Sequence, residues 1–269
     1  MKKFKLSALL VLSLTGLTAC GGSGEGLVKN GVAYNRGDAS KINETVKVEK
    51  DGKVKVVTEK ATVEMSLKMK MDGQSINMKE KVDGTITVNV PDKTIDIKLD
   101  ATVEVGKEKV SEKISVKAEE KDGEFVITSN TGGEMTGEEV DAEQIASYFE
   151  IASYSIYSWN YDDSDTAYAA ATESLSEYAD AKEVLKIIKQ MESKIKIAGE
   201  VETGNFEIGL SEPFSMKIEN YPITYTKLKS VYKDGLVQST VVGVKMSANE
   251  NGTSMSLNMT STNEFSYTF

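Results

Sequence analysis

The chain has 269 residues, carries 42 acidic against 32 basic side chains for a formal charge of −10, and contains no histidine. That acidity leaves no electrostatic footprint for phosphate backbones or anionic lipid surfaces, and the missing imidazoles exclude Ser-His and Cys-His catalysis, imidazole metal sites and the usual pH switch. A hydrophobic content of 39% against 28% charged is enough to fill a core, so the composition is that of a folded chain.

The amino terminus has a basic tip at Lys2, Lys3 and Lys5, an apolar run from Leu6 to Leu17, and small residues ahead of Cys20. This is the layout of a secretory signal. The stretch from Leu6 to Ala19 falls short of the roughly 20 apolar residues a stable spanning helix needs, and it holds Ser7, Ser13, Thr15 and Gly16. Leu17, Thr18, Ala19, Cys20 and Gly21 resemble the lipobox of bacterial lipoproteins. The resemblance implies that residues 1–19 are a signal peptide and that Cys20 becomes a diacylglyceryl-modified N-terminus. Cys20 is the only cysteine, so it has no intramolecular disulfide partner; the alternative is an ordinary cleaved signal whose cysteine is incidental. Two acyl chains at one point suffice for stable anchoring. Removing the three lysines of residues 1–19 takes the formal charge from −10 to −13. Residues 20–42, beginning Gly21-Gly22-Ser23-Gly24, read as a lipidated N-terminus and flexible tether.

From Asn43 to Asn130 the pattern has period two, broken by turn signals at Asp51-Gly52, Asp72-Gly73, Pro91-Asp92, Gly106-Lys107 and Asp122-Gly123. It predicts a meander of antiparallel strands. Val63, Met65, Leu67, Met69 and Met71 share one face against Glu64, Ser66, Lys68 and Lys70. Ile95, Ile97, Leu99, Ala101, Val103 and Val105 repeat the arrangement. One side of such a sheet is wet and the other dry.

Thr136 and Glu139 form a capping-box pattern ahead of Val140, Ile145, Tyr148, Phe149, Ala152, Ile156 and Trp159 at helical spacing, and a second stripe runs from Ala171 through Leu175, Tyr178, Leu185, Ile188 and Met191 toward Ile195. Two or three helices are therefore expected over 137–196. Strands resume at 200–269, with turns at Asp234-Gly235 and Asn249 to Gly252. The order strands, helices, strands predicts a single α+β domain over 43–269, a large twisted antiparallel sheet with the helices packed on its apolar face. Two separate sheets in a sandwich, with an intervening helical hairpin, are the alternative.

A curved, one-sided sheet with aromatic helices resembles the half-barrel of the Lol-type and lipid-carrying lipoproteins. That resemblance rests on element order over residues 43–269 and on one-sided strands, without a signature motif. It implies acyl chains held between sheet and helices, with Met65, Met69, Met71, Met246, Met255, Met259, Phe149 and Trp159 as candidate lining residues; Met78 and Met216 belong to the same methionine set. The expectation is a membrane-anchored extracytoplasmic lipoprotein that binds a lipid or other amphiphile in an apolar cavity. The alternative is a structural or interaction lipoprotein whose methionines fill a solid core and which takes no small ligand.

Tyr154, Tyr157, Trp159, Tyr161 and Tyr168 form an aromatic cluster suited to a ligand or a membrane interface, or to a core with its hydroxyls outward. Asp162, Asp163 and Asp165 lack the glycine and distal glutamate of a calcium loop, so helix capping accounts for them and no metal is expected. Paired-carboxylate hydrolysis needs two acids about 5 to 10 Å apart across a bond, which abundant surface carboxylates do not by themselves indicate. The reading is of a non-enzyme without cofactor beyond the diacylglycerol on Cys20, with a membrane as partner and no nucleic acid.

Overall fold

The structure, a computed structural model, describes residues 26–35, 41–42, 45, 54–71, 74–132, 181–218, 221–250 and 253–269. The period-two segments form strands, as their alternation requires. After the short β1 (Val32–Ala33) come β2 (Val56–Met71), β3 (Gln74–Asn89), β4 (Thr94–Val105), β5 (Glu108–Lys121) and β6 (Glu124–Thr131). Helix α1 (Ala181–Glu192) leads into β7 (Ile195–Glu200), followed by β8 (Asn205–Leu210), β9 (Phe214–Ile218), β10 (Tyr221–Lys233), β11 (Leu236–Glu250) and β12 (Thr253–Thr268).

All twelve strands belong to one antiparallel sheet in the order β1-β7-β8-β10-β11-β12-β2-β3-β4-β5-β6, with β9 pairing β10 beside β8. Within each block, neighbours in sequence are mostly neighbours in space. The two blocks meet where β12 pairs β2 along its whole length, from Ser254 opposite Lys70 to Thr268 opposite Val56.

Tight turns make the meander possible. At Asp122-Gly123 and Asp234-Gly235 both central residues have positive φ (56° and 91°, 51° and 77°), the mirror-image turn whose twist matches that of the flanking strands. Between β4 and β5 the register is held on the wet face by pairs directly opposite one another: Asp96 with Lys117 at 3.6 Å, Asp100 with Lys113 at 3.4 Å and Glu104 with Lys109 at 3.3 Å. A one-residue slip would set each acid opposite the wrong neighbour and turn the apolar face outward.

The dry face holds the core. One cluster gathers Val82, Ile86, Val88, Ile95, Ile97, Leu99, Ile114 and Val116 from β3 to β5. The other joins Ile195 and Ile197 of β7, Phe206, Ile208 and Leu210 of β8, and Leu228, Val237, Val242 and Phe265 of β10 to β12. Phe206 stacks on Tyr232 with ring centroids 4.5 Å apart.

The α+β expectation is overturned. Among the described residues the chain is nearly all antiparallel sheet, and the only helix of any length there is the twelve-residue α1. The expected helices over 137–160 and 163–180 lie outside the described residues. Ile187 and Met191 of α1 pack against the core, beside a sheet that runs unbroken through both strand blocks. The second helical stripe also ends earlier than its spacing suggests. Ser193 N donates to Lys189 O and Lys194 N to Met191 O, the chain turns, and Ile195 and Ile197 continue at period two as β7. The sandwich alternative fails as well, because β12–β2 pairing makes one sheet of the two blocks.

A methionine-rich open end of the dry face

Register places the methionines in rows across the sheet. Met246 of β11 faces Leu257 of β12, which faces Leu67 of β2, then Met78 of β3 and Val105 of β4. One step inward lie Val244, Met259, Met65, Glu80, Val103 and Val110 in the same order, continuing to β5. One step outward lie Ala248, Met255, Met69 and Ile76. At about 4.8 Å between strands, the row of five spans about 19 Å.

Burial falls along this face toward the hairpin ends. Met65 is 6% exposed, Met69, Met78, Met246, Met255 and Met259 are half-buried, and Met71 reaches 49%. Ile76, Val105 and Val110 are exposed to 43%, 44% and 49%. Four of the seven exposed large hydrophobics among the described residues thus lie on one patch, continuous with the buried core. An apolar patch at the rim of a sheet is where a monomer presents a binding surface.

Methionine suits such a wall because three rotatable bonds and a polarizable sulfur let it follow an irregular partner. Tyr225 of β10 joins the wall opposite Val244, and burial pushes its phenol above the usual tyrosine range, keeping it neutral. Of the candidate lining residues, the structure brings together Met65, Met69, Met246, Met255 and Met259, with Met71 at the rim. Met216 extends the Met246 row through Ile223, and packs against the core cluster that β7, β8 and β10 to β12 share. Phe149, Trp159 and Cys20 lie outside the described residues, as do the tyrosine cluster and Asp162, Asp163 and Asp165.

Two features of the face escaped the sequence reading. The first is a buried polar strip, Ser230 opposite Thr240 opposite Asn263, whose amide oxygen accepts from Ser261 Oγ at 3.2 Å. Nearby, Tyr267 donates its hydroxyl to Val237 O at 2.7 Å, and its phenol is held far above the usual range, first by burial and then by Tyr232 and Glu59. The second is Glu80, which stands on the dry face between Met65 and Val103 and is 9% exposed. Burial lifts its carboxyl above the usual glutamate range. The signal for Glu80 was its phase: Ile76, Met78, Glu80 and Val82 alternate together.

Among the described residues no group of three or more His, Cys, Asp or Glu is placed to hold a metal ion, and no helix is long and apolar enough to cross a membrane. No protein-family model matches the chain, and no curated protein matches it. Among solved structures, it is similar to a β-barrel-like protein of a domain of unknown function from Brucella abortus, with 12% identity, a TM-score of 0.23, and coverage of 80% of this chain and 100% of that one. It is also similar to the translocator domain of autotransporter NalP from Neisseria meningitidis, with 6% identity, a TM-score of 0.21, and coverage of 86% and 96%. Likenesses that loose carry no argument, and the functional reading rests on the side chains of this chain.

Proposed function

We propose that this protein is an extracytoplasmic lipoprotein, held to a membrane by diacylglycerol on Cys20, whose sheet takes up a lipid or other amphiphile on the open, methionine-rich end of its dry face. The observation that carries the reading is the patch of Met71, Ile76, Val105 and Val110, exposed in water yet continuous with rows of half-buried methionine. Apolar area contributes roughly 25 cal/mol per Å2 when it leaves water, so an acyl chain laid across these rows gains from every methylene it buries. The basic tip, apolar run and cysteine at residues 1–20 support the address.

Gentle native mass spectrometry of the purified protein tests the ligand: a co-purifying amphiphile is expected. A homogeneous ligand-free mass favours instead a solid-core interaction lipoprotein. Replacing Cys20 by alanine tests the address. That variant should lose acyl labelling and leave the membrane fraction, whereas retention in membranes would remove the proposed anchor.

A further inference from the structure

The dry face carries charge of one sign. Along β2 to β5, the positions in phase with it run from Val57 to Met71, Gln74 to Val88, Ile95 to Val105 and Glu108 to Ala118; they include Glu59, Glu80, Glu108 and Glu112 and not one lysine or arginine. The wet face of the same strands interleaves lysine with aspartate and glutamate, as in the pairs of β4 and β5. Excluding basic residues from one face only is not a consequence of overall acidity, since 32 basic side chains are available.

Glu80 is the informative member. It is more than nine-tenths buried among Met65, Met78, Val82 and Val103, one row in from the exposed rim, and among the described residues it meets no cation. Its nearest lysines in the chain, Lys79 and Lys81, point to the wet face, where Lys81 pairs with Asp83 at 2.8 Å. A carboxyl placed in an apolar wall without a partner is costly unless something else supplies one.

Building on the amphiphile reading, we propose that the occupant of this wall bears a protonated amine, which Glu80 receives while the methionine rows hold its hydrocarbon chain. The apolar rows select for chain length and the carboxyl for positive charge. An anionic fatty acid would place its carboxylate against Glu80 and its acidic neighbours on the same face, and is rejected.

The test uses the full chain carrying Cys20→Ala, so that no acyl group of its own competes, titrated calorimetrically at pH 7 with dodecylamine, dodecanol and dodecanoate. A charge-assisted hydrogen bond makes dodecylamine bind about tenfold tighter than dodecanol, with dodecanoate weakest. In Glu80→Gln the amine preference should vanish while dodecanol affinity is kept, which also shows that the variant is folded. Dodecanol binding with no amine preference, or a preference that survives Glu80→Gln, overturns this inference and leaves the amphiphile reading standing. Failure of all three probes to bind the unsubstituted face overturns both. If Glu80→Gln fails to fold, Glu80→Met takes its place, and the ranking of the three probes in the parent chain still decides.

Discussion

The two ends of the dry face obey the same alternation and are built from different residues. At the sealed end the rows read Val57, Val88, Ile95 and Ala118, then Glu59, Ile86, Ile97 and Val116, all at or below 5% exposure. At the open end they read Met69, Met255 and Ile76, or Leu67, Leu257, Met246 and Met78. Branched side chains are stiff at the first torsion and fix a unique packing, whereas methionine adapts. Period two therefore assigns a residue to a face, and the choice among apolar types sets whether that part of the face is a finished core or an adaptable, partly exposed surface.

The largest effect that would separate the ends is on stability. Ile95→Ala empties a site that is 2% exposed, and should cost about 2–5 kcal/mol in urea unfolding. Met255→Ala, half-buried at the other end, should cost less than about 1 kcal/mol. Equal losses would mean that the open end is packed as firmly as the sealed one. Next comes the reverse contrast in binding. Met69→Ala with Met255→Ala should weaken dodecanol binding about tenfold, and Ile95→Ala, where it folds, should leave it within about twofold.

The smallest effect is the pH dependence of Glu80. Its carboxyl is raised in the folded state by burial, so the folded state holds the proton longer than the unfolded chain does. Stability from this group is fully present below the ordinary glutamate value of about 4.3 and is lost as pH rises through the raised value. Glu80→Gln removes that loss, so its stability relative to the parent should improve between pH 4 and pH 7. A constant difference across that range would place the carboxyl in contact with water.

Much of the sheet was legible. The alternations at Val63 to Met71 and Ile95 to Val105, with the Asp-Gly turns, place β2 to β6 because strand phase is a local property. The joining of the two blocks was not legible, because β12 opposite β2 is a pairing of residues some 200 apart in sequence. Nor was the polar strip: Thr260, Ser261, Thr262 and Asn263 are all polar, so alternation vanishes there, and the bulges near Tyr225 and Val231 reset the phase of β10. The helical expectation failed at a definable place, since Met191 and Ile195 fit a 3.6-residue stripe that the turn at Ser193 and Lys194 interrupts. The methionines were legible as a set of residues on alternating phases, and their arrangement in rows became visible only with the register.

The seam between β12 and β2 also orders events in time. Among themselves, residues 56–131 pair only strand to next strand and can zip hairpin by hairpin, but the outer edge of β2 keeps its amide and carbonyl groups uncovered until residues 253–268 arrive. A chain emerging amino terminus first during synthesis therefore spends an interval as a half-sheet with one adhesive border. Closing that border waits on residues 253–268, the long-range pairing that contact order makes slowest to form.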